Sequence, residues 1–123
     1  MPGQEVSLGE YFADFGDAVA PYDAVRRCLE GIGDFETRVT KSQIAFRRRV
    51  AFAWAWVPEK HVHRRAAPLV LSVALRRCDS SPRWKQVVEP RPGRFMHHLE
   101  LTSPGDVDDE VRRWLAEAWE AAR

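Results

Sequence analysis

The chain has 123 residues, of which 45% are hydrophobic and 30% are charged, a balance that excludes an intrinsically disordered protein. The net charge of +1 conceals an uneven distribution: residues 36–98 carry 14 Lys and Arg against 4 Asp and Glu, residues 1–35 carry 2 against 7, and residues 99–123 carry 3 against 7. A basic middle can steer an anionic partner, and acidic helices lying on a basic sheet would produce the same pattern.

Two helices are predicted before residue 35. Ser7 and Glu10 have the spacing of a capping box, in which a hydroxyl and a carboxylate bond the free N–H groups of a helix start, and this predicts a short helix over 7–14. Apolar residues recur at helical spacing over 19–32. They predict a second helix that begins at about residue 17 or 21 and ends at Glu30.

From residue 35 onward the apolar period changes to two, which is typical of β-strands. One bent strand or two strands are predicted over 35–47. A central strand is predicted over 50–57, where bulky and small residues alternate, and the pattern indicates that both of its faces are covered. Further strands are predicted over 69–76 and 94–101. Residues 80–89 fit either a helical turn or an edge strand.

Asp106 is predicted to cap a C-terminal helix that extends to about Ala122, with acidic residues in its first turn. The order of the segments predicts an α+β fold: two N-terminal helices, an antiparallel four- to five-stranded sheet, and a C-terminal helix packed on the sheet. Residues 1–123 are predicted to form a single domain, with residues 1–17 as an N-terminal appendage.

Nothing in the sequence predicts a targeting or membrane-spanning segment. The N-terminus lacks the basic start and apolar run of a signal peptide, and the longest apolar stretch, over 50–57, is shorter than the roughly 20 residues of a membrane helix. Cys28 and Cys78 are too few for a disulfide framework. A reducing, cytoplasmic location is therefore the expectation.

Histidines are the candidate metal ligands, and the chain has four: His61, His63, His97 and His98. Neither a cysteine pair nor a His-Glu-x-x-His motif accompanies them, so no metal and no cofactor is predicted. Strand alternation places His97 on an apolar face between Phe95 and Leu99. Since a buried imidazole must be hydrogen-bonded, His97 is either a core residue that pins the sheet to the C-terminal helix or a functional group in a pocket.

The basic middle predicts a binding module for an anionic ligand, either a nucleic acid or a small molecule, that uses a basic sheet face. Lys41, Arg47 and Arg49 would supply the charge. Trp54 and His97 would line the pocket.

Two alternatives remain open. One is a protein-interaction or dimerisation module, such as a homodimer, in which the sheet or the loop over 60–67 contacts a partner. The other is a hydrolase-like enzyme that uses His97 as a base. The sequence has neither a nucleophilic Ser elbow nor a Gly-rich phosphate loop, so binding without catalysis is favoured.

Three segments, 40–49 followed by 52–54, 96–101 and 108–118, resemble the motifs of a bacterial and archaeal domain family. The family is labelled as a domain of unknown function, and some relatives carry the name predicted transport protein. The resemblance covers the chain from about residue 18 to its end. It implies a small α+β domain, found alone or appended to other domains, including nuclease-like ones, and hence a nucleic-acid context. The matching motif positions, to which it assigns no catalytic role, are Lys41, Phe52, Trp54, His97, Asp108 and Trp114.

Overall fold

The structure is a computed structural model that describes residues 4–61 and 67–123. Its helices are α1 (Leu8–Tyr11), α2 (Val19–Glu30) and α3 (Asp109–Ala121), and its strands are β1 (Glu36–Val39), β2 (Ile44–Arg47), β3 (Ala51–Trp56), β4 (Leu69–Leu75), β5 (Gln86–Arg91) and β6 (Arg94–Leu101). Three short 3-10 turns cover Gly16–Ala18, Pro58–Lys60 and Pro104–Asp106. The predicted α+β fold is confirmed.

Both N-terminal helices lie where the sequence places them. Ser7 Oγ accepts a hydrogen bond from Glu10 N at 3.0 Å, and Glu10 Oε1 accepts one from Ser7 N at 3.3 Å, so the capping box begins α1 as predicted. The helix ends after four residues, earlier than expected. α2 ends at Glu30, as predicted, and buries Tyr22, Val25 and Leu29, whereas Val19 at its start is exposed.

The C-terminal helix begins later than predicted. Asp108, not Asp106, caps α3, because Asp108 Oδ1 accepts a hydrogen bond from Val111 N at 3.1 Å. Asp106 instead stabilises the preceding 3-10 turn, where its Oδ2 accepts the Thr102 N–H at 2.8 Å. α3 has 13 residues, and among the described residues no helix is long and apolar enough to cross a membrane.

The sheet has six antiparallel strands in the order β1-β2-β3-β4-β6-β5, rather than the four to five that were predicted. Residues 36–47 form two separate strands, and β5 takes up the second half of the ambiguous segment 80–89. β5 and β6 are joined by a two-residue turn at Pro92 and Gly93. Gly93 has φ +77°, a left-handed conformation that favours glycine.

Helices α2 and α3 cover one face of the sheet. The Tyr22 ring of α2 stacks 6.2 Å from the Phe46 ring of β2, and Phe46 pairs with Ala53 of β3. Ala53 and Ala55 are 0% exposed, since their small side chains let α3 approach β3 closely. Further apolar residues of this face are fully buried: Ile44, Leu69, Leu71, Val73 and Leu101.

We call the opposite side of the sheet the open face. One row of paired residues crosses five strands on this side: Ala45, Trp54, Ser72, His98 and Gln86. Trp54 and Trp56 are only partly buried, which corrects the prediction that both faces of the central strand are covered. Alternation of large and small residues separates the two faces, but it does not decide which of them a helix covers.

Candidate functional site

An open pocket of about 380 Å³ lies on the open face. Its lining residues are Ser42, Gln43, Trp54, Trp56, His61, Ser72, Met96 and His98. Antiparallel pairing makes Trp54, Ser72 and His98 cross-strand neighbours. The pocket is therefore aromatic and is assembled from segments far apart in the sequence.

A chain of hydrogen bonds holds the floor of this pocket. Trp56 Nε1 donates to Ser72 Oγ at 2.8 Å, and Ser72 Oγ lies 2.7 Å from His98 Nδ1. Because an indole N–H can only donate, the Ser72 hydroxyl accepts from Trp56 and keeps its own hydrogen for the imidazole. The Trp56 ring also meets the rings of His61 and His98 edge to face at 5.4 and 6.1 Å. These contacts fix the orientation of the indole.

One end of the sheet, which we call the arginine end, collects the ends of β2, β4 and β5 and the starts of β3 and β6. Seven arginines lie there: Arg47, Arg48, Arg49, Arg76, Arg77, Arg91 and Arg94. The antiparallel topology thus concentrates at one place a large share of the positive charge that the sequence spreads over 36–98.

Three of these arginines are bound to α3. Arg77 makes two hydrogen bonds with the Glu117 carboxylate, at 2.8 and 2.9 Å. The Arg48 guanidinium lies 3.6 Å from the ring centre of Trp119 and also donates to the Trp119 carbonyl at 2.9 Å. Arg76 donates to a carbonyl of the last helical turn at 3.1 Å. These three side chains anchor the helix to the sheet.

The other four form no hydrogen bond or ion pair through their guanidinium groups within the described residues. Within residues 4–61 and 67–123, the side chains of Arg47, Arg49 and Arg91 make no hydrogen bond, ion pair or ring contact. The Arg94 guanidinium lies 5.9 Å from the ring centre of Trp54 and forms no ion pair with a described residue. The arginine end therefore presents positive charge that the described acidic side chains do not pair.

A cleft of about 300 Å³ opens at the arginine end. Arg76, Arg91 and Arg94 line it, and its floor is apolar, with Val50, Phe52, Leu75 and three alanines from the end of α3 and its C-cap. Arg94 lines this cleft and also approaches Trp54 of the open-face pocket, so the two depressions adjoin. Among the described residues no Asp or Glu lines either of them.

The structure does not bring the five predicted site residues together. Arg47 and Arg49 lie at the arginine end, and Trp54 lies on the open face next to it. Lys41 lies in the turn between β1 and β2, at the opposite end of the sheet. His97 pairs with Val73 and so faces the helices, which means that Trp54 and His97 do not line a common pocket.

His97 is 0% exposed, and both of its ring nitrogens are occupied. Nε2 accepts a hydrogen bond from Asp79 N at 3.0 Å, and Nδ1 lies 3.1 Å from the Phe95 carbonyl, to which it donates. The Trp84 ring packs 4.9 Å away. This geometry corresponds to the first of the two predicted roles, a hydrogen-bonded core histidine.

Asp79 connects His97 to the Arg77 anchor. Its carboxylate accepts hydrogen bonds from Trp84 Nε1 and Arg77 Nη1, both at 2.8 Å, and from Ser81 N at 3.1 Å. Burial favours the neutral acid, but these hydrogen bonds outweigh it and lower the pKa of Asp79 to about 2. The ionised carboxylate thus holds the loop after β4 in place.

Elsewhere the acidic ends do neutralise part of the basic middle. Arg83 donates to Asp108 at 3.0 Å and to Glu110 at 2.9 Å, at the start of α3. Lys85 pairs with Glu100 at 3.1 Å. Pairing with the acidic ends, which the sequence left open, holds for these bases but not for Arg47, Arg49 and Arg91.

Sequence reasoning missed five residues of this surface: Trp56, Ser72, Arg91, Arg94 and His98. Strand alternation places His98 on the opposite face of the sheet from His97, and this pattern could have identified His98. Arg91 and Arg94 flank the two-residue turn between β5 and β6, where charged residues are common, so no local pattern distinguishes them. Only the strand order brings Arg94 to Trp54 and Arg91 beside Arg94.

Side chains that could bind a metal ion are not clustered in the described part of the chain. No group of three or more His, Cys, Asp or Glu residues within 4–61 and 67–123 is arranged to hold a metal ion. His63 and most of the predicted loop over 60–67 lie outside the described residues.

We expect the protein to lose stability as the pH falls from about 7.5 to about 5.5. Burial holds the pKa of His97 and of His98 below the ordinary value of 6.5, although Asp79 opposes this shift at His97. In that range the unfolded chain binds more protons at these positions than the folded protein does, so the free energy of unfolding decreases with decreasing pH. Urea unfolding at the two pH values measures the difference, and an equal midpoint at both would contradict the prediction.

The sequence profile of one family, described as a domain of unknown function (DUF5655), matches residues 9–122. No curated protein and no solved structure shows a significant match to the chain.

Proposed function

The chain belongs to the family described as a domain of unknown function (DUF5655), and we propose that it is a binding module for an anionic ligand. The ligand is held at the arginine end and on the adjoining part of the open face. One observation carries the proposal: Arg91 and Arg94 line a cleft without carboxylates, directly beside the partly exposed ring of Trp54.

The electrostatics of the cleft favour an anion. Guanidinium groups that are not paired repel one another, and a phosphate or carboxylate relieves this repulsion while accepting up to two hydrogen bonds from each arginine. The Arg76 side chain, which donates to a helix carbonyl, is held at the cleft wall. Its position adds a fixed positive charge to the two available ones.

The frame around the cleft is held by the arginines that are already bound. Arg77 and Arg48 connect the sheet to α3 through Glu117 and Trp119. A ligand therefore meets a surface whose backbone is already ordered, and less binding free energy is lost in ordering it.

Fluorescence anisotropy with labelled single- and double-stranded oligonucleotides and with inorganic polyphosphate tests the proposal. We expect binding at about 20 mM salt that weakens steeply as salt is added, because phosphate contacts release counterions. The Arg91→Ala/Arg94→Ala variant should bind about tenfold more weakly and show a smaller salt dependence.

A matched control removes the same charge elsewhere. Arg27 and Arg113 are exposed on α2 and α3, away from the open face, and the Arg27→Ala/Arg113→Ala variant should keep its affinity within about twofold or threefold. An equal loss in both variants would show that net charge alone acts. No binding of any of these anions at low salt would refute the proposal and favour the protein-interaction module, which stays a prediction.

A further inference from the structure

We propose that the anionic ligand is a single-stranded nucleic acid whose unpaired bases stack in the open-face pocket while its phosphates contact the arginine end. The inference rests on the proposed anion binding and names its ligand. It follows from the juxtaposition of two indoles on a helix-free sheet face with guanidinium groups that lack acidic partners.

The aromatic residues of the open face favour a ligand that carries nucleobases. Trp54 and Trp56 place large apolar rings on the side of the sheet that no described helix covers. They are not part of the continuous apolar core, which lies on the covered side. Aromatic rings that are accessible on a sheet are platforms for nucleobases, and every base offers a π-face to them. An inorganic anion would gain nothing from these rings.

The fixed orientation of Trp56 favours stacking. Its only polar atom, Nε1, is already bound to Ser72 Oγ at 2.8 Å, and the edge-to-face contact with His98 fixes the ring. The indole thus needs no hydrogen bond from a ligand. A ring whose N–H is already satisfied, in a fixed orientation, offers its apolar surface and suits stacking without regard to base sequence.

The short distance between the open-face pocket and the arginine end fits the dimensions of a nucleotide. The Arg94 guanidinium lies 5.9 Å from the centre of the Trp54 ring, and Arg91 is the cross-strand partner of Arg94. In a nucleotide only one sugar separates the base from its phosphate. Because the Arg94 guanidinium lies over the ring, a base that stacks on this side displaces it. Arg94 then contacts the phosphate of that base, and Arg91 lies beside it for the next phosphate.

The shape of the surface excludes a duplex as the preferred ligand. In double-stranded DNA the base faces are stacked against one another, so a ring on a sheet face cannot reach them without unpairing. A single strand exposes its base faces, so no base pair has to be broken when it binds. We therefore expect single strands to bind more tightly than duplexes of the same sequence.

The deciding experiment compares two single strands with the same number of phosphates: an oligothymidine of about 12 nucleotides and an abasic strand of the same length. We expect the oligothymidine to bind the full-length protein at least tenfold more tightly, to quench tryptophan emission, and to exceed the duplex in affinity. Trp54→Leu should lower the oligothymidine affinity about tenfold and leave the abasic strand unaffected.

Val19→Ala removes exposed apolar surface on α2, outside both depressions, and should bind like the wild type. Equal binding of the oligothymidine and the abasic strand would overturn the inference and leave the proposed anion binding intact, whereas the absence of both would refute the two together. Equal or tighter binding of the duplex would overturn the single-strand specificity. If Trp54→Leu fails to fold, the comparison of the two strands on the wild type and the emission change still decide.

Discussion

Replacing His97 with alanine is expected to lower the free energy of unfolding by about 3 kcal/mol. The substitution empties a site that is 0% exposed and leaves the Asp79 N–H and the Phe95 carbonyl without their partner. It also removes the ring against which Trp84 packs. Urea or thermal unfolding followed by circular dichroism measures the loss, which corresponds to a decrease in melting temperature of about 10 °C.

His97→Phe separates the two contributions. Phenylalanine fills the site with a slightly larger ring but supplies neither hydrogen bond, so we expect it to lose about half as much stability as His97→Ala. If both variants unfold at the wild-type midpoint, His97 does not hold the core, and a role in a pocket would have to be reconsidered.

Replacing Gly33 with alanine is expected to cost about 2–3 kcal/mol of stability. A Cβ at this position would overlap Cζ2 of Trp119 and lie 2.8 Å from Cε2 of the same ring. The ring cannot easily move away, because its Nε1 donates to the Asp34 carbonyl at 2.8 Å and the Arg48 guanidinium covers it at 3.6 Å. The clash therefore strains the junction between the sheet and the end of α3.

A double-mutant cycle with Trp119→Ala tests this cause. Without the indole the added methyl group has space, and replacing glycine by alanine restricts the unfolded chain. In the Trp119→Ala background Gly33→Ala should therefore be neutral or stabilising by up to about 1 kcal/mol. A similar cost in both backgrounds would show that the backbone of Gly33, and not the ring, is responsible.

Much of the fold was predictable because its signals are local. The Ser7 and Glu10 capping box begins α1, α2 ends at Glu30, and period-two alternation marks the strands. The errors also have local causes. Asp106 and Asp108 both have carboxylates suited to capping, and only the backbone path decides that the second one begins α3.

The candidate site was predictable only in part. Arg47, Arg49 and Trp54 were named from the sequence and lie on the surface that we propose as the ligand site. Lys41 is as basic as the arginines, but it lies before β2 and so at the other end of the sheet. His97 follows the alternation of β6 onto the helix face.

The sequence by itself determined the fold class, the two faces of the strands it predicted clearly and the presence of a basic middle, because capping, periodicity and charge are properties of neighbouring residues. The tertiary structure alone decided which face the helices cover and which arginines they bind. It also decided that Arg94 of the β5–β6 hairpin meets Trp54 of β3. The reason is physical: strand order and helix docking are set by contacts between residues far apart in the chain, and no local pattern records them.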